Sequence, residues 1–490
     1  MAKRTAVIDI GSNSARLVIF QKTSRYGFHL LAQHKSRVRI GEGAYQREGR
    51  LQPEPMERAY RTLEAFAQIL HEYHVKKTLC VATSALRDAP NRSEFIERVR
   101  NRLHLDIRVI DGKKEAEFGA IAASNLLPVH SAITIDIGGG SADMARIEEG
   151  RIVETFSLNL GTVRLKELFT GEKIDFKHAQ AFIEKELARL PETFHGAVAI
   201  GIGGTARAMA KAIMRATDYP LDKLHAFAYS IQKHHAFFET IIHARIEGLD
   251  VLHIKPERFD TIREGVMIFW MILEQIGAKE VITSGVGVRE GVYLHDRLRN
   301  DHSRFPKGIN PSIQSIRDRF DLLGFPEGSK HTIGRKLFEL FCDRFDGHKQ
   351  DRAMLLYALD LSNIGKMLTI YKEHQHAWYI AMQELNYGFT HREMILIALI
   401  LRSKGSRRYH KALYKTYKSL LPGKKKLKWL VFIYTLTLIL YENSTRDDVR
   451  FRCSKKKRLR IESRSLSYLA QEAIRAIALP DELTIEMIVD

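Results

Sequence analysis

The sequence predicts an α/β fold built from two related halves and followed by a mostly helical region. An apolar stretch runs into an aspartate and a glycine turn twice, at residues 7–14 (VIDIGSNS) and 132–143 (AITIDIGGGSAD). Two further apolar stretches run into glycine turns, at residues 197–205 and 281–287. After residue 300 the pattern becomes helical, and its spacing predicts helices at residues 311–323, 331–344, 350–369, 374–384 and 391–402. The repeated turns predict a duplication in which each half brings one Asp-Gly turn to a shared cleft.

The residues after each turn justify these elements in order. The apolar run at residues 15–20 predicts the second strand of a hairpin, and the run at 144–147 repeats it after the second turn. The third and fourth turns lead instead into residues 206–213 and 289–298, whose spacing predicts helices.

The run at residues 136–143 indicates phosphate chemistry. Consecutive glycines let backbone N–H groups approach an anion closely, because no Cβ intervenes. The flanking acids would repel a bare phosphate, so they predict a hard divalent cation, Mg²⁺, between carboxylate and phosphate. The candidate metal ligands are Asp136, Asp143 and Asp9, and the candidate phosphate ligands in the three turns are Asn13, Ser14, Gly138, Gly139, Gly140, Ser141, Gly203, Gly204 and Thr205.

Two nucleotide-binding motifs fit the sequence less well. Residues 201–206 (GIGGTA) match a loose dinucleotide fingerprint, but no convincing strand ending in an acid follows about twenty residues later. No loop ending in Gly-Lys-Ser or Gly-Lys-Thr occurs, which disfavours ordinary P-loop nucleotide hydrolysis.

The order and the residues of these segments resemble those of the exopolyphosphatase and guanosine-pentaphosphate phosphohydrolase family, within the actin, Hsp70 and sugar-kinase superfamily. Three further segments support the resemblance, at residues 82–88 (ATSALRD), 160–165 (LGTVRL) and 284–291 (SGVGVREG). The resemblance covers roughly residues 1–300. It implies two ribonuclease-H-like (actin-like) α/β domains with a mixed five-stranded sheet each, and then a mostly helical, HD-like C-terminal domain. The boundaries we expect are 1–125, 126–300 and 301–490.

The same resemblance implies a general base. Residues 109–119 (VIDGKKEAEFG) resemble the family segment that carries it, and Glu115 is the matching residue. Glu117 is the competitor, but two positions along a helix rotate a side chain by about 200°, so both cannot face one cleft. Glu115 would orient and deprotonate a water for attack on the terminal phosphorus.

Three arginines are candidates for phosphate contacts, because a guanidinium group binds phosphate oxygens in pairs. They are Arg16, Arg87 and Arg164. Asp143 stands where the family usually has glutamate, and its shorter side chain would leave room for a water between carboxylate and metal.

The resemblance implies that the chain is an exopolyphosphatase acting on inorganic polyphosphate. Guanosine pentaphosphate is the alternative substrate, because both molecules end in a phosphoanhydride. The superfamily also contains ATP-dependent kinases of small molecules. The segment around Glu115 favours hydrolysis over phosphoryl transfer to an acceptor.

The charge balance suits an acidic polymer. The 490 residues include 77 Lys and Arg against 58 Asp and Glu, a net charge of +19. Polyphosphate carries about one negative charge per unit, and a basic channel would gain from counterion release when binding it. Nucleic acid is the disfavoured alternative partner.

Composition also bounds compartment and cofactors. Three cysteines without paired spacing predict neither a disulfide framework nor a zinc site. The N-terminus enters a strand at once, so we expect no signal peptide and a cytoplasmic protein. The apolar run at residues 429–441 is too short for a membrane span and predicts a buried helix.

The C-terminal region has a degenerate HD signature. Where such domains carry a His-Asp pair before Ile-Gly, this chain has Ser362 and Asn363, which are poor metal ligands. We therefore expect a helical scaffold that contributes to a substrate channel or a homodimer interface, with His374 and His376 not acting as ligands. Basic runs at residues 402–408, 424–426 and 455–458 could guide polyphosphate, and a small terminal sheet is predicted at 449–461 and 483–489.

Overall fold

The computed structural model describes residues 3–44, 47–169, 176–321, 328–403, 410–443, 449–454 and 458–488. The chain divides into two compact units, Met1–Ile309 and Asn310–Asp490. The predicted division of the first unit near residue 125 stays a prediction.

The first sheet of the first unit has five strands in the order β3-β2-β1-β4-β5. Strands β1 to β3 form an antiparallel meander, and β4 and β5 run parallel to β1. Apolar residues of these strands and of the flanking helices form one buried cluster. The elements are β1 (Arg4–Ile10), β2 (Ala15–Lys22), β3 (Phe28–Ser36), α1 (Pro53–Glu72), β4 (Lys77–Ala82), α2 (Ser84–Asp88), α3 (Arg92–Leu103) and β5 (Ile107–Val109).

The second sheet repeats this arrangement and adds one strand, giving the order β8-β7-β6-β9-β11-β10. The prediction of five strands is therefore wrong for this sheet. The extra strand β10 pairs antiparallel with β11 at the edge of the sheet. It has only three residues, which are too few to show the alternating pattern of a strand in the sequence. The elements are α4 (Gly112–Leu126), β6 (Ala132–Ile137), β7 (Ala142–Glu148), β8 (Arg151–Leu158), α5 (Thr162–Phe169), α6 (Phe176–Leu187), β9 (Val198–Ile202), α7 (Gly203–Ala216), β10 (Ala228–Ser230), α8 (Ile231–His243), α9 (Ile262–Gln275), β11 (Glu280–Thr283) and α10 (Val288–Arg297).

The two predicted hairpins are closed by equivalent four-residue turns. In the first, the Gly11 amide donates to the Ser14 carbonyl at 3.1 Å, and in the second the Gly138 amide donates to the Ser141 carbonyl at 2.9 Å. Each turn joins the first two strands of its sheet. The duplication predicted from the sequence is therefore visible in the backbone.

The second unit is mostly helical and carries a three-stranded sheet near its end. The predicted helix at 350–369 is too long, because α13 ends at Asp360 and a turn follows. A Cβ on Gly365 would lie 1.9 Å from the Glu373 carbonyl oxygen, so the chain packs tightly against the next helix here. The predicted residues 322–323 lie outside the described part. The elements are α11 (Pro311–Phe320), α12 (Gly328–Phe341), α13 (Lys349–Asp360), α14 (Glu373–Glu384), α15 (His391–Arg402), α16 (Lys411–Thr416), α17 (Lys424–Asn443), β12 (Arg450–Cys453), β13 (Arg458–Glu462), α18 (Tyr468–Ala476) and β14 (Thr484–Ile488).

Helix α17 contains the apolar run predicted to be buried. Its aromatic residues Trp429, Phe432 and Tyr434 are at most 2% exposed. Across the described ranges, no helix combines the length and the apolar character that a bilayer span requires.

Candidate functional site

A central cavity of about 140 Å³ opens in the first unit where the two glycine turns meet. The turns are in contact, since a Cβ on Gly139 would lie 3.0 Å from the Cβ of Ser12. The lining comes from both sheets and is mainly polar. It consists of Asp9, Gly11, Ser12, Asn13, Ser14, Arg16, Thr83, Ser84, Glu115, Asp136, Ile137, Gly138, Gly139, Ser141, Thr162, Gly203, Gly204, Thr205, Arg207, Arg258, Gly287, Val288 and Arg289.

Three carboxylates line the central cavity. Asp9 and Asp136 occupy equivalent positions, each one residue before the end of its strand, β1 or β6. Glu115 lies in the first turn of α4. Burial raises the pKa of all three carboxyl groups, and the charges of Asp143, Asp136 and Asp9 raise the pKa of Glu115 further. Their ionised forms are therefore stabilised by any cation that enters.

Four arginines share the lining with these acids: Arg16, Arg207, Arg258 and Arg289. Burial, reinforced by the charges of Arg16 and Arg289, lowers the pKa of Arg207 to about 10. The Nε atom of Arg207 and the Nη1 atom of Arg289 are buried and have no hydrogen-bond partner among the described residues. Buried donors of this kind cost free energy unless a ligand accepts from them.

Helix N-termini add further positive potential. The first residues of α7 and α10 line the cavity, and the first N–H groups of a helix have no partner within it. Gly203, at the start of α7, has a φ of +82°, and a Cβ there would clash with the Asp136 carboxylate. Helix α5 is different, because its amides at Thr162 and Val163 donate to carbonyls of the second glycine turn at 3.0 and 2.9 Å.

Asp143 lies beside the cavity lining rather than in it. Its carboxylate accepts hydrogen bonds from Ser141 at 2.9 Å and from Ser157 at 2.5 Å, and only 2% of the residue is exposed. Burial raises the pKa of Asp143 to about 7, although both serine hydrogen bonds oppose this. Its two oxygens are thus already engaged, and direct contact with a metal is not what the geometry favours.

Three other predicted phosphate ligands also lie outside the lining. Arg87 Nη1 is 3.5 Å from the Glu115 carboxylate and 3.4 Å from the Ile110 carbonyl. Arg164 donates to the Gly140 carbonyl at 2.9 Å and to Asp88 at 3.2 Å. Arg87 is therefore placed to hold Glu115. Arg164 stabilises the second glycine turn through its hydrogen bond to the Gly140 carbonyl.

The remaining predicted residues are brought together in the lining, along with several that the sequence reasoning missed. Arg207 and Arg289 each follow a glycine turn by two or three residues, which is a usable signal. Arg258 lies in an isolated 3-10 turn and carries no such signal. The missed lining residues are Gly11, Ser12, Thr83, Ser84, Ile137, Thr162, Arg207, Arg258, Gly287, Val288 and Arg289.

Glu117 points away from the central cavity, as its position two residues after Glu115 predicts. Its carboxylate accepts from Lys114 Nζ at 2.9 Å and lines a separate groove with residues 300–308. The two glutamates therefore have different surroundings on one helix.

The carboxylate oxygens of Asp9 and Asp136 are hard donors of the kind that Mg²⁺ prefers. Within the described ranges, no three His, Cys, Asp or Glu side chains converge into a metal site of their own. The donor set thus fits a cation held by one or two carboxylates together with water and a bound phosphate, which is common for Mg²⁺.

In the second unit, Ser362 and Asn363 lie in the turn after α13 and are 3% and 5% exposed. The ammonium group of the buried Lys330 donates to the Ser362 hydroxyl at 3.2 Å. A cationic side chain thus contacts one of the two positions where an HD site would carry a metal ligand. His374 and His376 are half-buried in the first turn of α14.

Comparison with known proteins agrees with this fold. The crystal structure of the family member from Aquifex aeolicus has 28% sequence identity and covers 62% of this chain and 100% of its own, with a TM-score of 0.52. An exopolyphosphatase from Cytophaga hutchinsonii has 24% sequence identity and covers 60% of this chain and 98% of its own, with a TM-score of 0.56. At this identity the likeness concerns the fold alone. The model of the Ppx/GppA phosphatase family matches residues 18–300. The chain belongs to the Ppx/GppA phosphatase family and has its two-sheet, actin-like α/β fold.

Proposed function

We propose that this protein is an exopolyphosphatase, which releases orthophosphate from the end of inorganic polyphosphate by water attack on the terminal phosphoanhydride bond. One observation carries the proposal. The largely buried carboxylate of Glu115, 13% exposed, lies in the wall of a cavity whose other charged lining residues are four arginines and two aspartates. This arrangement offers a base and a phosphate-binding surface in one site.

The arginines and helix N-termini would bind the terminal phosphate. The unpartnered guanidinium atoms of Arg207 and Arg289 can donate to its oxygens, and the first turns of α7 and α10 add backbone N–H groups. These donors stabilise the negative charge of the oxygens during the displacement. The substrate in turn satisfies donors that are otherwise costly to bury.

Glu115 would orient the attacking water and accept its proton. As the water oxygen bonds to the terminal phosphorus, the bridging P–O bond breaks, and the shortened chain leaves with the electron pair. The raised pKa of Glu115, caused first by burial and then by neighbouring carboxylates, makes it a stronger base than an exposed glutamate. The contact with Arg87 limits this rise and holds the side chain in place.

Mg²⁺ would be held by Asp9 and Asp136 together with the substrate. When bound, it offsets charge on the phosphate oxygens. Asp143, whose oxygens accept from two serines, would support the site without contacting the metal directly.

The replacement Glu115→Gln tests the assignment. We expect phosphate release from long-chain polyphosphate to fall by about a hundredfold to ten thousandfold, because the general base is lost while the shape is kept. Polyphosphate binding, measured by fluorescence anisotropy, should stay within about twofold of the unmodified protein, because the arginines remain. Undiminished turnover would contradict the role of Glu115.

Glu117→Gln is the matched control, because the same substitution is made two residues further along the same helix. Glu117 contacts Lys114 and lies on another face. Its replacement should leave turnover unchanged. Equal losses in both variants would mean that the helix, and not the base, was disturbed.

Guanosine pentaphosphate is the second candidate substrate, since the sequence resemblance extends to its phosphohydrolases and its 5′ end has the same kind of bond. Parallel kinetics on the two substrates with Mg²⁺ would rank them. A kinase would instead need an acceptor, so phosphate release from polyphosphate alone excludes it. The expected homodimer and cytoplasmic location stay predictions, and sedimentation would test the first.

A further inference from the structure

A row of charged residues crosses the first three strands of the first sheet. Asp9 on β1 pairs with Arg16 on β2, and Arg16 pairs in turn with Lys35 on β3. Residues directly opposite one another in antiparallel strands project to the same face. Since Asp9 and Arg16 line the central cavity, the exposed Lys35 is the next residue outward along this row.

The second half of the unit brings a further cation to the same place. Arg37 Nη2 donates to the Asp260 carboxylate at 2.7 Å and to the Glu257 carbonyl at 3.3 Å. These two acceptors flank Arg258 in the sequence, so the contact holds Arg258 near the end of β3. Arg258 also lines the central cavity.

The resulting cluster is electrostatically strained. Partial loss of hydration lowers the pKa of Lys35, although the residue is exposed overall, and the charges of Arg16 and Arg258 lower this pKa further against the opposing charge of Glu257. Burial likewise lowers the pKa of Arg16, helped by the charge of Arg289. Like charges held together by a fold repel one another, and a bound polyanion relieves that repulsion.

A second cavity beside the central cavity has a lining of mixed charge. This side cavity of about 290 Å³ shares Ser12 and Asn13 with the central cavity. Its remaining lining residues are three carboxylates, two cations and two uncharged residues. They are Glu42, Glu167, Asp260, Arg39, Lys166, Val163 and Thr261. Arg39 in this lining is already paired with Glu42 and Asp260, so it is less available to a polyanion.

We infer that Lys35, beside Arg16 and Arg258 at the mouth of the central cavity, binds phosphates of a polyphosphate chain that lie further from the terminal phosphate than tripolyphosphate reaches. This inference rests on the proposed function. Lys35 is then a binding residue that favours long chains over short ones, and the chain leaves the cavity along the β2 and β3 side.

The test compares Lys35→Ala with Lys22→Ala, which removes an exposed lysine from the other end of the neighbouring strand β2. For long-chain polyphosphate we expect Lys35→Ala to raise the KM about tenfold, the effect of losing one charge-assisted contact. The KM for tripolyphosphate should change less than twofold and kcat should not change. Lys35→Arg should restore the KM, and Lys22→Ala should leave both substrates unaffected.

Binding without turnover separates this inference from the proposed function. In EDTA, the Kd of long-chain polyphosphate should rise about tenfold in Lys35→Ala, and the slope of log Kd against log salt should fall by about one. An unchanged Kd would overturn the inference even if the enzyme hydrolyses polyphosphate. A raised Kd in a protein that binds polyphosphate without releasing phosphate would support Lys35 while refuting the proposed function.

Discussion

Single residues of the site follow the physics of buried charge. Asp9, Asp136 and Glu115 were predicted because aspartate before glycine and the family-like segment are local patterns. Their neighbours Arg207, Arg258 and Arg289 come from three distant parts of the chain. No spacing rule connects them, since only the folded sheets bring them to one cavity.

Asp143 predicts a pH-dependent stability. Its folded-state pKa of about 7 lies above the ordinary value of 3.8, so the folded protein binds this proton more tightly than the unfolded chain. The stabilisation is complete below about pH 3.8 and is lost as the pH rises through 7. Asp143→Asn removes this dependence. Relative to the unmodified protein, the variant should gain on the order of 2 kcal/mol in free energy of unfolding between pH 5 and pH 8.

Urea unfolding in EDTA at the two pH values measures this difference. Ser454→Ala, an exposed polar position in the second unit, serves as the control and should show no pH-dependent change. Parallel pH profiles for Asp143→Asn and the unmodified protein would mean that Asp143 is ionised in the folded state at pH 5.

At the scale of elements, the packing of α4 against α10 positions the base. A Cβ on Gly291 of α10 would lie 1.8 Å from the carbonyl oxygen of Phe118 on α4, so these helices approach as closely as only glycine allows. Glu115 lies in the first turn of the same helix. Any shift of α4 therefore moves the carboxylate.

Gly291→Ala should destabilise the fold by about 1–3 kcal/mol, because the methyl group forces the helices apart. Turnover should fall more than substrate binding does. Gly248→Ala is the control, since nothing lies within 4 Å of a Cβ there. Chemical unfolding and steady-state kinetics measure both effects, and equal stability of the two variants would contradict the tight approach.

Helices and strands could be predicted from the sequence where the spacing of their own residues determines them. Helix α15 has the bounds that its apolar spacing predicts, while the predicted helix at 350–369 ends early where Gly365 meets another helix. Strand β10 was missed because three residues carry no period. In both cases tertiary contacts, which the sequence does not display, determine the element.

At the scale of the whole molecule, charge is unevenly distributed along the chain. Residues 310–490 contain 32 of the 77 Lys and Arg but only 20 of the 58 Asp and Glu. Between Glu393 and Glu442 the sequence has eleven Lys and Arg and no acid. Lys411, Lys415 and Lys418 in this stretch are exposed, whereas residues 404–408 and 455–457 of the predicted basic runs lie outside the described residues.

A chain ending at Ile309 should fold, because the whole Aquifex aeolicus relative matches only 62% of this chain. We expect it to release phosphate from tripolyphosphate at an unchanged rate. On long chains it should lose processivity and accumulate products of intermediate length, because the basic second unit no longer holds the polymer. Gel electrophoresis of the products measures this, and an unchanged product distribution would contradict a guiding role.

The two equivalent turns carry different residues at one matched position. The cross-strand neighbour of Asp9 is Arg16, whereas the neighbour of Asp136 is Asp143. Duplication supplied two copies of one scaffold, and at this position only the first copy places a cation in the cavity lining, while the second carries the carboxyl group of Asp143 beside it. An anionic chain would therefore enter in one orientation, with its bulk toward the first copy and the bond to be broken toward the second.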